Sequence, residues 1–459
     1  MTEIVIIGGG AAGGTAAQFA RKASRDARIT VICKEPHGQY SRCGLVYAIS
    51  GDVDGFEHLI EFSPEWFRQR GIEYRAGAEA VGINPSKKEV VIAQDSCEEA
   101  LGFDTLIIAT GAVPKIPAIK GLHPPKSSAL KEGLHLLRTI EDGMRLKERL
   151  ASADKVIVVG AGYVGVEAAS AFKALGPDVT LVEAMPHILS TMLDPDMAEL
   201  VSAGLQATGI KVMPDTTVME LMGAERVEGL AVRLKNGSKI TLSCDTVLLC
   251  VGNEPVTALA KEIGCAIGPT GGIRIDKRCL TSIPDVYAAG DCAEYRDMIT
   301  GAPRIAGMGH VAVHQGSIAG TNAAHGDAEL SPGLVSTRCL TIPGTEVAAA
   351  GPTSSEFAAA GVPTASARVR VPTHPSYIRK GGRMTVKLYA RIADRRLAGA
   401  QIIGPEGAAL RINAIALAIA GGMKVDPLAL TELCYSPPIA PPLDPLNVAA
   451  DALRRKMLK

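Results

Sequence analysis

A strand that runs straight into a glycine turn occurs twice in this chain, and that duplication constrains the fold more than any other feature. The first copy is Glu3-Ile4-Val5-Ile6-Ile7 followed by Gly8-Gly9-Gly10-Ala11-Ala12-Gly13. The second is Lys155-Val156-Ile157-Val158-Val159 followed by Gly160-Ala161-Gly162-Tyr163-Val164-Gly165. Each reads as a buried strand opening into G-x-G-x-x-G. Gly8 and Gly160 permit the tight turn, Gly10 and Gly162 let a pyrophosphate approach the backbone, and Gly13 and Gly165 let a helix pack on the strand. Helices are expected from about Gly13 to Ala23 and to about Leu175. Second strands follow, Ile29–Cys33 and Val179–Glu183. Each meets an acid, Glu35 and Glu183, that can accept from an adenosine ribose. Glu35 stands two residues beyond the usual place, which Cys33 occupies.

Two complete fingerprints imply two dinucleotides, and two dinucleotides imply electron relay between a bound flavin, FAD, and a diffusible nicotinamide. After Glu183 come Ala184, Met185, Pro186 and His187, with no lysine or arginine to hold a 2′-phosphate, so NADH is expected in preference to NADPH. Asp104–Gly111 is a strand and turn that closes the first unit, with Thr110 and Gly111 at the turn. Asp245–Gly252 repeats it after the second. The run Thr281-Ser282-Ile283-Pro284-Asp285-Val286-Tyr287-Ala288-Ala289-Gly290-Asp291 resembles the second flavin-binding motif of two-dinucleotide flavoproteins, in which the aspartate, here Asp291, holds the ribityl chain.

These units set the organisation. Residues 1–113 and 251–325 are expected to form a split FAD domain, and 114–250 an inserted NAD domain, with Pro114, Pro117, Pro124 and Pro125 at the crossing. From 331 to 459 the character changes. Residues 383–390 and 397–404 read as adjacent antiparallel strands, and 407–420 as a helix so apolar that burial, in part against a partner, is expected. The net charge of zero gives no reason to expect nucleic acid or an anionic membrane surface. No apolar run is long enough to span a bilayer. With the first strand starting at residue 3, no signal peptide is expected. Ten cysteines without framework spacing read as reduced thiols in a cytoplasm, and the lack of a C-x-x-C pair speaks against a structural metal.

One cysteine stands apart. Cys43 lies in Tyr40-Ser41-Arg42-Cys43-Gly44-Leu45-Val46-Tyr47, and the next cysteine is Cys97. Any redox chemistry at Cys43 must use a single thiol, with the second sulfur supplied by the substrate. Residues 42–50 read as a helix stopped by Gly51, with Cys43 in its first turn. The free N–H groups there, the macrodipole and the charge of Arg42 are expected to favour the thiolate.

Taken together, these residues resemble the single-cysteine branch of the pyridine nucleotide-disulfide oxidoreductases over the whole chain. That branch includes coenzyme A-disulfide, persulfide and polysulfide reductases, NADH oxidases and NADH peroxidases. The segment Cys434-Tyr435-Ser436-Pro437-Pro438 through Asp444-Pro445 is similar to the ending of the coenzyme A-disulfide reductases, and Tyr377 in His374-Pro375-Ser376-Tyr377 is similar to their other tyrosine. The resemblance implies an α/β fold: two Rossmann-like dinucleotide-binding domains, for FAD and NAD, plus an α+β C-terminal dimerisation domain. It implies a homodimer in which Tyr435 and Tyr377 face Cys43 of the other subunit, and Ser41, Arg42, Gly252 and Gly290 beside the cofactors. The chain also departs from the pattern. Ala11 and Ala12 fill the turn where peroxidases carry a histidine, Arg42 replaces an asparagine, and no rhodanese-like domain follows residue 459. The run from Glu35 to Arg42 is similar to ferredoxin- and nitrite-reductase flavoproteins. Three functions stay open: reduction of a small disulfide or persulfide such as that of coenzyme A, reduction of oxygen, and electron transfer to a ferredoxin-like protein.

Overall fold

The computed structural model describes residues 1–122, 131–379 and 381–458; Pro124 and Pro125 lie outside them. The first glycine turn belongs to a five-stranded parallel sheet with spatial order Val286–Ala288, Thr105–Ile108, Glu3–Ile7, Arg28–Cys33, Ile72–Ala76. Its central strands are buried on both faces, which is why they read as unbroken apolar runs rather than alternating ones. The helix Ala11–Ala23 covers one face and crosses the helix Gly309–Ala323 at very short range. A Cβ on Gly316 would stand 2.3 Å from the Ala12 carbonyl oxygen, and one on Gly320 2.1 Å from that of Ala16.

The second turn sits in a matching parallel sheet, ordered Leu134–His135, Thr246–Leu249, Lys155–Val159, Asp178–Val182, Lys211–Met213. The two sheets are joined by an antiparallel ribbon in which Ala112–Pro114 pairs with Asn253–Pro255. The helices after the two turns are Ala11–Ala23 and Tyr163–Leu175, the first beginning two residues earlier than expected because Gly10 is extended and the helix starts directly beyond it. Glu183 drops out of its strand because its carboxylate turns back to the amides of Ala161 and Met185.

Residues 338–404 build a five-stranded antiparallel sheet, Arg338–Ile342, Thr345–Ala350, Leu397–Gly404, Arg383–Arg391, Thr364–Pro372. The expected pair 383–390 and 397–404 is adjacent and antiparallel, with Leu388 opposite Ala400. A polar clamp ties this sheet to the second nucleotide unit: Asp194, only 2% exposed, accepts from the Tyr389 hydroxyl, from Lys387 Nζ at 2.6 Å and from the Ser354 amide and hydroxyl at 2.9 Å each. The helix Ala408–Ala420 buries Ile412, Ile415 and Ile419, whereas Leu410 and Leu417 are each 75% exposed. Within one chain, then, this helix is covered on one side only.

The expected helix over 42–50 is shorter. It spans Leu45–Ser50 and ends at Gly51 in the left-handed conformation as read. Residues 41–44 form a turn instead, because the Ser41 hydroxyl and carbonyl both accept from the Gly44 amide, at 3.2 and 3.3 Å. Cys43 therefore precedes the helix rather than sitting in its first turn.

Candidate active site

The two glycine turns have the same anatomy. A Cβ on Gly8 would strike the Ala109 carbonyl at 2.1 Å, and one on Gly160 the Cys250 carbonyl at 2.3 Å. Cβ atoms on Gly13 and Gly165 would lie 1.8 and 1.9 Å from the carbonyls of Gly8 and Gly160. At the middle glycines, Gly10 and Gly162, nothing lies within 4 Å. That open space faces a 13-residue helix whose first amides have no side-chain cap. Free amides, the helix dipole and room for close approach are what a pyrophosphate needs, so both turns fit a dinucleotide.

The acids beyond the turns differ. Glu183 accepts from the Ala161 amide at 2.6 Å and the Met185 amide at 2.8 Å, bracing the second turn while keeping lone pairs for a ribose. Glu35 accepts from the Tyr40 hydroxyl at 2.6 Å and is ion-paired with Arg42, which also donates to the Arg138 carbonyl at 2.7 Å. Thr110 and Gly111 close the first sheet, with the Thr110 hydroxyl donating to the Val256 carbonyl. Gly252 follows the corresponding strand of the second. The Gly290 amide donates to Gln315, and Asp291 next to it pairs with Arg138 at 3.1 Å. Asp291 opens onto a cleft of about 450 Å³ that also reaches Thr270, Asn253, Arg304 and Glu356.

Cys43 is exposed, and a Cβ on Gly309 would stand 4.0 Å from its sulfur. The helix whose N-terminus it meets is thus Gly309–Ala323, not the short one that follows it in sequence. The expectation of a stabilised thiolate is corrected here. Although the residue is exposed at its outer edge, desolvation by the atoms packed around the sulfur pushes the Cys43 thiol up, and the Glu167 and Asp291 carboxylates push it further; Arg138 is the side chain that opposes them. Arg42, adjacent in sequence, is turned away toward Glu35 and Tyr40 and does not serve the sulfur. Glu167 is itself raised by burial, against a hydrogen bond of 3.0 Å from the Tyr47 hydroxyl. Burial and Glu167 bring Tyr47 to about 12.

Tyr377 and Tyr435 are brought together, their hydroxyls 3.4 Å apart and both exposed. His374 bonds to the Pro438 carbonyl at 3.1 Å and ties the two segments. Three residues escaped the sequence reading. Glu167 was visible as a lone acid in the alanine- and valine-rich helix Tyr163–Leu175. Arg138 sits just before the capping box of Thr139 and Asp142, a helix-start signal that gives no hint of Asp291. Gly309 carries no motif of its own. Among the described residues no group of three or more histidine, cysteine or acidic side chains could hold a metal ion, and no helix is long and apolar enough to cross a membrane.

Residues 2–326 match the pyridine nucleotide-disulphide oxidoreductase pattern, and residues 338–444 its dimerisation domain. The chain belongs to the pyridine nucleotide-disulphide oxidoreductase family. Within it, the chain is 35% identical to an NADH oxidase of Methanocaldococcus jannaschii over 456 residues, 98% of each chain. It is 29% identical to an NAD(P)H coenzyme A polysulfide/persulfide reductase of Pyrococcus horikoshii over 455 residues, again 98% of each. An NAD-dependent persulfide reductase from A. fulgidus superposes with a TM-score of 0.93 at 33% identity, over 99% of this chain and 83% of that one. The protein is an NAD(P)H-dependent flavin oxidoreductase with FAD and NADH as cofactors, and it carries a dimerisation domain.

Proposed function

We propose that this protein uses NADH to reduce a low-molecular-weight disulfide or persulfide, of the coenzyme A type, with Cys43 as its single redox thiol. The observation that carries the reading is an exposed Cys43 set against Gly309, in a chain whose ten cysteines are all unpaired. The names of the Pyrococcus and A. fulgidus relatives support it. In this reading residues 1–113 with 251–325 hold FAD, 114–250 hold the nicotinamide nucleotide, and 331–459 dimerise. The first glycine turn, Glu35 and Asp291 serve FAD; the second turn and Glu183 serve NADH. The unpaired cysteines also favour a cytoplasmic setting.

Bound at the first turn, the flavin supplies the relay of two electrons from nicotinamide to sulfur. The Cys43 thiolate attacks the substrate disulfide, one thiol leaves, and a mixed disulfide remains on Cys43. Two electrons and a proton then release the second thiol and return Cys43 to its starting state. Tyr435 and Tyr377, contributed by the partner subunit of a homodimer, donate to the departing thiolate. The exposed Leu410 and Leu417 give that dimer an apolar surface to close.

The M. jannaschii relative favours a second reading, in which oxygen is the acceptor and Cys43 cycles through a sulfenic acid. Whole-protein mass before and after reductant separates the two. A releasable thiol adduct on Cys43 supports the disulfide reading; a single added oxygen, with oxygen turnover that needs Cys43, supports the oxidase. Acceptor reduction that survives Cys43→Ser with a ferredoxin-like protein would reject both.

A further inference from the structure

The C-terminal sheet reaches into the second nucleotide unit through an arginine that the scheme above does not use. Arg338 opens the strand Arg338–Ile342 and is only 7% exposed. Buried guanidinium groups are ordinarily paired with carboxylates. Among the described residues Arg338 forms no ion pair; its donors go to neutral oxygens instead. Nε donates to the Ser336 carbonyl at 2.9 Å and Nη2 to the Gly351 carbonyl at 3.1 Å. Nη1 donates to the Thr191 carbonyl and, at 3.1 Å, to the Tyr163 hydroxyl. Ser336 itself holds a left-handed φ of +58°, a region that favours glycine, while its carbonyl takes the Nε proton. Tyr163 and Thr191 belong to one site. Tyr163 is the first residue of the helix Tyr163–Leu175, directly after Gly162, so its amide is among the free donors of the second turn. Thr191 lies on the connection from Glu183 to Asp194, which is stitched to that turn: Glu183 accepts from the Ala161 amide at 2.6 Å, and the Leu189 amide donates to the Ala161 carbonyl at 2.8 Å. At the far end of the connection the Asp194 amide donates to Gln401 of the C-terminal sheet at 3.0 Å.

Resting on the reading that the second turn binds the nicotinamide nucleotide, we propose that Arg338 is a positioning residue for NADH. By holding the Tyr163 hydroxyl and the Thr191 carbonyl on one guanidinium, it fixes the start of the nucleotide-binding helix against the connection that carries Glu183. The C-terminal region then sets NADH affinity from outside the nucleotide unit. A guanidinium suits this task because its donors leave in a rigid planar fork, so acceptors on separate segments are held at a set spacing, which the single ammonium of lysine does not do. Amides already in place for a pyrophosphate need no ordering when it binds, and that raises affinity. Without the guanidinium the Tyr163 ring loses its anchor, and the first turn of the helix loses it too. A tie that only joined two domains would affect stability and leave nucleotide affinity alone.

Calorimetric titration of NAD⁺ into the flavin-loaded protein measures affinity without turnover, and stopped-flow reduction by NADH gives an apparent Kd and a limiting rate. Arg338→Met is expected to weaken NAD⁺ and NADH binding about tenfold, the worth of a hydrogen bond to a charged group, and to change the limiting rate much less. Tyr163→Phe removes the acceptor and should weaken binding by a similar factor. The double variant should bind within about twofold of the weaker single variant, since both changes remove one contact. Unchanged NAD⁺ affinity in Arg338→Met, even with a lowered melting temperature, overturns the proposal, as does a double variant whose loss is the product of the two single losses. Should Arg338→Met lose its flavin, Arg338→Lys, which keeps the charge without the fork, takes its place in the same cycle. Glu183→Ala is the control. NAD⁺ affinity unmoved both there and in Arg338→Met would overturn the reading of the second turn and this proposal with it, whereas weakening in Glu183→Ala alone overturns only the proposal.

Discussion

The hydroxyls of Tyr377 and Tyr435, 58 residues apart in sequence, lie 3.4 Å from each other on two exposed loops of the C-terminal region. Among the described residues each hydroxyl has the other as its partner, and the charges that bear on Cys43 are Glu167, Asp291 and Arg138. If the tyrosines serve Cys43 of a second subunit, complementation reports it. Mixing Cys43→Ser with Tyr435→Phe chains should place one intact site in each heterodimer and restore about half the wild-type activity per such dimer. Verified heterodimers without recovery would confine Tyr435 to its own chain or to packing.

Cys43→Ser should keep bound FAD and its reduction by NADH while losing disulfide reduction by at least about a thousandfold. The glycine turn and Asp291 do not depend on the sulfur. Stopped-flow traces of flavin reduction and reoxidation give the two halves separately; a serine variant with near wild-type disulfide turnover would end the single-thiol scheme.

Nucleotide preference follows from Glu183. A carboxylate at that point accepts from a ribose 2′-hydroxyl and repels a 2′-phosphate, so kcat/KM should favour NADH by about a hundredfold or more, and Glu183→Ala should narrow the gap. The same carboxylate braces the Ala161 amide, so the variant should also bind NADH more weakly. A wild-type preference for NADPH contradicts this reading.

The Cys43 thiol is pushed up, so its thiolate fraction grows only as pH rises past the free-thiol value of about 8.5. Alkylation of Cys43 by iodoacetamide should therefore follow a curve displaced to the alkaline side. Glu167→Gln removes one of the acids and should move that curve back toward neutral pH. Identical curves for the two proteins would mean that Glu167 does not act on the sulfur.

Gly320→Val places a side chain 2.1 Å from a backbone oxygen that cannot yield. Overpacking of this kind costs about 1–3 kcal/mol, so the melting temperature should fall by several degrees and bound flavin should weaken. Thermal scans followed by flavin fluorescence would show it. An unchanged transition would mean the two helices part without penalty.

The nucleotide-binding architecture was legible because two signals coincide in each unit, an unbroken apolar strand and three glycines at fixed spacing, and the carbonyl contacts of Gly8, Gly13, Gly160 and Gly165 explain why nothing larger fits. The C-terminal sheet was legible only at Arg383–Arg391 and Leu397–Gly404: the edge strand Thr364–Pro372 went unread although it is as long, and Arg338–Ile342 and Thr345–Ala350 are short and surrounded by loop-like sequence. The environment of Cys43 was misread for a definite reason. A charge next to it in sequence, Arg42, is not next to it in space, and the groups that act on it come from far along the chain. Tyr47 meets Glu167 across 120 residues, and Arg138 meets Asp291 across 153. No local pattern encodes such pairs.

The ribbon of Ala112–Pro114 against Asn253–Pro255 has a consequence for how such a chain can be built. Val113 and Glu254 are direct partners, so the point where the chain leaves the first sheet and the point where it returns are one strand-spacing apart, about 5 Å. Everything between them could be excised and the gap sealed by a tight turn without displacing either strand. The second nucleotide unit is thus attached as a cassette, exchangeable for another of different nucleotide preference, provided the newcomer offers an acid where Asp194 grips Lys387.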